Sequence, residues 1–209
     1  RMADESANAA LFFGGRLGTN PDGICGQKLT EEYNGVSWSE AGNMNTNRMS
    51  HYGFGSQNAA VATMGITSSL GPVPGSFTNS ANTSAGRSAF SKTEHYNGTS
   101  WTEVTDFPHN AGYIAAAGTQ NAGLVAFGGT APQNGAANIA SPYSVEYNGS
   151  NWVNASPAAD FGPHVAQSRH AMAGIQNAAI TVGNGTIPGS GACLLYTSDA
   201  ADEGLGVDL

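Results

Sequence analysis

Charged residues are scarce in this chain. They make up 11% of it, and Lys and Arg together number 7 against 15 Asp and Glu. The basic residues are scattered, so no cationic stripe exists for a phosphate backbone, and nucleic acid is excluded as a partner. Long apolar runs are missing too. No stretch reaches the length that crosses a bilayer, so no membrane insertion is expected. The opening Arg1-Met2-Ala3-Asp4-Glu5 lacks the basic-then-apolar run of a secretion signal and reads as the interior of a longer chain. No window keeps a helical apolar stripe. Cysteine is limited to Cys25 and Cys193, too few for a disulfide scaffold.

What the chain has instead is Gly, Ala, Ser, Thr and Asn arranged in repeats. Thr30-Glu31-Glu32-Tyr33-Asn34-Gly35-Val36-Ser37-Trp38 returns as Thr93-Glu94-His95-Tyr96-Asn97-Gly98-Thr99-Ser100-Trp101 and as Ser144-Val145-Glu146-Tyr147-Asn148-Gly149-Ser150-Asn151-Trp152. Asn-Gly between two β-prone runs predicts a hairpin with a two-residue type I′ turn, in which both central residues take positive φ. A second motif alternates with the first, at Gly55-Ser56-Gln57-Asn58-Ala59, Gly118-Thr119-Gln120-Asn121-Ala122 and Gly174-Ile175-Gln176-Asn177-Ala178, with a clipped copy at Ser6-Ala7-Asn8-Ala9-Ala10. The tryptophans lie 63 and then 51 residues apart. Periods of this size with four predicted strands each point to propeller blades, a, b, c and d in order.

The residues also resemble the kelch repeat. Arg48 and His51, or Arg169 and His170, precede strand a; a double glycine follows strand b; a Tyr and a Trp flank the outer hairpin. Met64-Gly65 and Gly183-Asn184 depart from the double glycine, and His109-Asn110 stands where the second full unit is expected to carry its Arg. The fold expected is all-β, an incomplete kelch-type β-propeller with about three to four blades' worth of four-stranded antiparallel sheets. Its units run approximately 6–47, 48–110, 111–168 and 169–192. The wording Glu-x-Tyr-Asn-Gly-x-Ser-Trp with Gly-x-Gln-Asn-Ala is similar to the kelch-like propeller proteins of marine tailed phages. That resemblance implies a virion structural protein such as a tail-fibre appendage. Its partners would be other virion proteins or a host-surface glycan or protein, and the full-length protein would be homo-oligomeric.

Residues 193–209 belong to no repeat. Cys193-Leu194-Leu195-Tyr196-Thr197-Ser198-Asp199-Ala200-Ala201-Asp202-Glu203 is similar to a conceptual translation of the adapter DNA of transposase-based sequencing libraries. The domain expected is therefore 1–192, followed by a non-native tail. Setting the tail aside removes Asp199, Asp202, Glu203 and Asp208 and halves the net charge of −8. It also leaves Cys25 with no internal disulfide partner.

In an antiparallel a-b-c-d blade the a-b and c-d turns share one face, and the b-c and d-a connections share the other. Here the first set is tight and repeated. The second is long and varied: Arg16 to Leu29, Ile66 to Lys92 and Thr130 to Ser144 between b and c, and 39–47, 102–110 and 153–168 between d and a. Variable loops on a rigid scaffold are where recognition is usually placed. The binding candidates are Asp106, Phe107 and His109 with their counterparts Asp160, Phe161 and His164, a repeated phrase that could gather two Asp and two His for a metal or sugar hydroxyls. The plainer and preferred reading is a proline turn whose Phe fills the gap between blades, so no metal or other cofactor is expected. Tyr33, Trp38, Tyr96, Trp101, Tyr147 and Trp152 are read as packing between blades, and Asn34-Gly35, Asn97-Gly98 and Asn148-Gly149 as the turns.

Catalysis is not expected. The Gly-x-Ser-Trp ending resembles the Asp-box of sialidases, but Tyr33, Tyr96 and Tyr147 occupy the place of its defining Asp. Arg16, Arg48, Arg87 and Arg169 do not suggest an arginine triad, Cys25 has no context for a copper-radical centre, and no carboxylate pair stands out. The readings carried forward are a non-catalytic binding propeller, a structural virion spacer, and a propeller glycosidase.

Overall fold

The structure is a computed structural model that describes residues 8–17, 25–68, 87–112, 114–130, 139–155, 171–184 and 191–197. Among these it contains strands and turns and no helix. The second unit is a four-stranded antiparallel sheet in chain order, β6 (Tyr52–Ser56), β7 (Ala59–Ser68), β8 (Arg87–Tyr96) and β9 (Trp101–Val104). The third repeats it with β10 (Ala115–Thr119), β11 (Ala122–Thr130), β12 (Ile139–Tyr147) and β13 (Trp152–Asn154). A three-stranded sheet lies on either side. One holds strands b, c and d as β1 (Ala10–Phe13), β4 (Thr30–Tyr33) and β5 (Trp38–Glu40). The other holds a, b and c as β14 (Ala171–Ile175), β15 (Ala178–Asn184) and β16 (Gly191–Thr197). The first strands of successive sheets, β6, β10 and β14, lie side by side, as the inner strands of a propeller do. Part of the stretch resembling adapter is thus a strand: Ala179 pairs with Tyr196 as Ala10 pairs with Tyr33 and Gly123 with Tyr147.

The Asn-Gly hairpins differ from the type I′ form. Tyr33 pairs directly with Trp38, Tyr96 with Trp101 and Tyr147 with Trp152, so each loop holds four residues. Only the glycine has positive φ, 92° at Gly35, 86° at Gly98 and 89° at Gly149. The Asn acts through its side chain. Asn34 Oδ1 accepts from the N–H groups of Val36 and Ser37, both at 3.0 Å, and Asn97 and Asn148 repeat the arrangement. An Asx-type cap replaces the left-handed backbone at Asn.

The connections between b and c differ as well. Expected as loops, they begin as paired ribbons. β7 and β8 continue past a bulge at Met64 to Ser68 opposite Arg87, and β11 and β12 to Thr130 opposite Ile139. In the first unit β2 (Arg16–Leu17) pairs with β3 (Cys25–Gly26). Bulges bend and twist a strand without ending its ladder, which lets the ribbons continue past the blade. At that bulge Met64 has φ 53°, close to the 63° of Gly14 at the same place one unit earlier, so a methionine holds the conformation of the glycine it replaces.

The core lies between sheets. Leu11, Phe13 and Met44 of the first unit meet Ala60, Ala62, Tyr96 and Trp101 of the second. Tyr52, Phe54, Val61, Met64 and Phe107 meet Ile114, Val125, Val145 and Tyr147 of the third. Each Tyr-Trp pair is tilted alike, at 37°, 37° and 38°. Packing is close enough that strand glycines are required: a Cβ on Gly123 would stand 2.2 Å from the Phe54 ring. Trp38 lies at the outer side of the first described sheet, against the Tyr33 ring at 5.2 Å. It is 46% exposed where Trp101 is 6% exposed, because no described sheet covers that side of β4 and β5.

Candidate functional site

The two faces of the disc are built from different chemistry, beginning with the Gln-Asn turns. The side chain of Gln57 reaches back to the preceding unit, where Nε2 donates to the carbonyl of Tyr33 at 2.8 Å and to that of Ala10 at 3.3 Å. Gln120 does the same to Tyr96 at 2.8 Å and Ala60 at 3.1 Å, and Gln176 to Tyr147 at 3.0 Å and Gly123 at 3.2 Å. The acceptors are equivalent in all three cases. The repeated glutamine is therefore a clamp across the blade interface as well as a turn residue. Sequence reasoning missed it because its partners lie in another unit. The available signal was that a β-turn does not require Gln, yet all three complete copies keep it.

Two further contacts cross the same gaps. The Tyr96 hydroxyl donates to Glu32 Oε1 at 2.6 Å, and the Tyr147 hydroxyl lies 2.9 Å from His95 Nε2. Burial and the neighbouring Glu32 carboxylate push the Tyr96 phenol far above its ordinary range. Burial raises Tyr147 and lowers His95. Trp101 Nε1 donates to Thr30 Oγ1 at 2.9 Å.

A buried ion pair sits between the first and second units. Arg48 and Glu94, both fully buried, meet at 2.5 Å. Glu94 also accepts from the backbone of Asn45 at 2.7 Å and of Thr46 at 3.1 Å, and from Asn45 Nδ2 at 3.0 Å. Arg48 donates to the carbonyls of Met64 and Lys92, both at 3.0 Å, while its Nε has no hydrogen-bond partner among the described residues. Desolvation lowers the Arg48 pKa and the Glu94 charge opposes that shift. The third unit lacks the whole arrangement. Gly65 donates its N–H to Ala111 as Gly15 does to Arg48, so Ala111, rather than His109-Asn110, holds the arginine position. By the same register Val145 replaces Glu94 and Pro108, which has no N–H, replaces Asn45. A buried charge without its partner is costly, and here all members are absent together.

The opposite face carries the predicted binding residues. Phe107 is 7% exposed, donates its N–H to Ser91 as Met44 does to Lys28, and packs edge-on against Trp152 at 4.9 Å. It fills the gap between blades. Asp106 and His109 beside it are exposed, with the His109 ring 6.2 Å from that of Phe107. Lys92 Nζ lies 3.1 Å from Glu103 and 4.0 Å from Asp106, and its hydrogen bond to Glu103 raises its pKa, with Asp106 adding to the shift. Asp160, Phe161 and His164 lie outside the described residues. Among the described residues no three His, Cys, Asp or Glu side chains gather so as to hold a metal ion.

No family model matches the chain, and no curated protein matches it. Solved structures do. One, titled "Structure of YjhT", aligns with a TM-score of 0.60 at 13% identity, covering 86% of this chain. The chain spans 57% of the length of that structure. Such a likeness shows fold alone. The architecture is an all-β, incomplete β-propeller, the type of protein to which YjhT belongs.

Proposed function

We propose that the chain is a non-catalytic propeller that presents its variable face to a host-surface glycan or protein as part of a phage virion appendage. One observation carries the reading: the repeated Gln and Asn side chains of the turn face are held by hydrogen bonds within the disc, whereas Asp106 and His109 on the opposite face are exposed. On the turn side Gln57, Gln120 and Gln176 hold neighbouring blades, and Asn34, Asn97 and Asn148 hold their own loops. On the other side Asp106 and His109 are exposed beside the seated Phe107. The virion setting rests on the wording of the repeats.

A glycosidase is less well supported. Its acid must be held protonated in a secluded site, but Glu103 and Asp106 are close to half exposed and face the same Lys92 cation. A purely structural spacer is the remaining alternative. Single sites on such a surface bind weakly, and several copies on one particle would raise the avidity. The test is binding of the chain, multimerised on beads, to a glycan array and to host cells. Binding lost on Asp106→Ala with His109→Ala, or on shortening the segment between Ser68 and Arg87, is expected. Absence of binding, or binding indifferent to both changes, would reject the proposal in favour of the spacer. Sugar turnover abolished by Asp106→Asn would restore the glycosidase.

A further inference from the structure

The outer hairpins of the second and third sheets hold a reactive arrangement that the binding function does not use. Both sheets have a described sheet on either side, and their turns lie wholly within the described residues. In each an exposed Asn stands in the outer turn with glycine after it, at Asn97-Gly98 and Asn148-Gly149. The loop itself requires that glycine, since φ is 86° at Gly98 and 89° at Gly149. The amide nitrogen next to each Asn therefore belongs to a residue with no side chain to shield it. The Asn carbonyl is held as well. Asn97 Oδ1 accepts from the N–H groups of Thr99 at 3.0 Å and Ser100 at 2.9 Å, and Asn148 Oδ1 from those of Ser150 at 3.0 Å and Asn151 at 2.8 Å. Donors two and three residues ahead fold the side chain forward over the Asn-Gly peptide and bring Cγ toward the glycine nitrogen. Two N–H groups on one carbonyl oxygen are also the arrangement that stabilises negative charge developing there.

We infer that Asn97 and Asn148 are sites of self-modification, each cyclising onto the following glycine nitrogen with release of ammonia. The inference goes beyond the proposed binding function. At Asn97 the Gly98 nitrogen gives its proton to solvent base and attacks Cγ. The new N–Cγ bond forms, the Cγ–Nδ2 bond breaks, and Nδ2 leaves as ammonia after taking a proton from solvent. The five-membered imide then takes up one water. Opening at the N–Cγ bond leaves an aspartate, whose carboxylate still accepts from Thr99 and Ser100. Opening at the other ring bond leaves an isoaspartate, with one more atom in the main chain. That product strains a loop closed by the direct pairing of Tyr96 with Trp101. The inner turns lack the arrangement. Asn58 and Asn121 are equally exposed, but Ala59 and Ala122 follow them, so a Cβ stands beside the attacking nitrogen.

The test is peptide mapping by mass spectrometry of the whole 209-residue chain, kept in mildly alkaline buffer with and without guanidinium chloride. Conversion of amide to acid at positions 97 and 148 should be about threefold or more faster in the folded chain, a modest gain because both donors lie near water. Isoaspartyl methyltransferase should label the same peptides, and Asn121 should stay unchanged over the same interval. Thr99→Pro removes one donor, so position 97 should fall to the unfolded rate. Position 148, converting as in the parent, reports that the variant is still folded. Folded rates equal to or below the unfolded ones would mean that the cap locks the side chain instead of activating it. That result, or a Thr99→Pro chain converting position 97 as fast as the parent, would overturn the inference.

Discussion

At the scale of single residues the clamp and the ion pair make opposite predictions about substitution. Gln120→Ala removes two hydrogen bonds, and at about 1 kcal/mol net each the variant should lose ~2 kcal/mol by urea denaturation. Gln120→Glu should lose more at neutral pH, because a carboxylate has no hydrogen to donate and would face two carbonyl oxygens. If Gln120→Glu were as stable as the parent, the clamp would contribute nothing. Arg48→Ala alone leaves Glu94 buried and uncompensated, which should cost about 3–5 kcal/mol. Arg48→Ala with Glu94→Val should recover most of that loss. Adding Asn45→Pro should recover more, because it also removes one of the two backbone N–H groups, and the side-chain amide, that Glu94 accepted from. The third unit already lives with this trio as Ala111, Val145 and Pro108. A double-mutant cycle giving additive losses would contradict the account.

At the scale of the strand and hairpin, the chain announces its organisation openly. Among the described hairpins, Asn-Gly between Tyr and Trp marks the outer ones and Gln-Asn the inner ones, because such turns are written in adjacent residues. Their detailed form is less legible. Asn-Gly suits a two-residue I′ turn on backbone grounds alone, but the Asn side chain offers a competing solution that closes a four-residue loop. Asn97→Asp should therefore be tolerated, since a carboxylate oxygen accepts the same two N–H groups, whereas Asn97→Ala should cost about 1 kcal/mol. Equal stability of the two variants would argue against the side-chain cap. The ribbons beyond the blades were illegible for another reason. Ile66 and Thr67 read as the start of a loop because a double glycine normally ends the strand, and only the pairing across the bulge shows that the ladder resumes. Of the predicted site, Phe107 was readable as a plug from its place after a strand. Whether the second Asp-Phe phrase stands beside the first depends on residues 156–170, outside those described.

For the whole molecule, stability should fall on both sides of neutrality through contacts that cross blade gaps. Burial lowers the folded pKa of His95 from its ordinary 6.5. The fold thus favours neutral imidazole, so its contribution is present above about pH 6.5 and is lost as pH falls through the depressed value. His95→Gln should flatten that acid limb in thermal melts recorded from pH 7 to 5; an unchanged limb would assign it elsewhere. Tyr96 and Tyr147 shift upward from 10.0, so their contribution is full below about pH 10 and declines as pH rises further. The Tyr96 hydroxyl, bound to Glu32, should account for more of the alkaline loss than Tyr147. Tyr96→Phe compared with Tyr147→Phe in melts from pH 9 to 11 checks the order.

The clamps also have a direction. Each glutamine reaches only to residues nearer the N-terminus: Gln57 to Ala10 and Tyr33, Gln120 to Ala60 and Tyr96, Gln176 to Gly123 and Tyr147. On a ribosome the acceptors have always been synthesised before their donor. Each new blade can fasten to the one already made, and none has to wait for a partner still to be translated. Assembly of the disc is therefore compatible with vectorial growth during synthesis, unit upon unit, with the newest blade always the least secured.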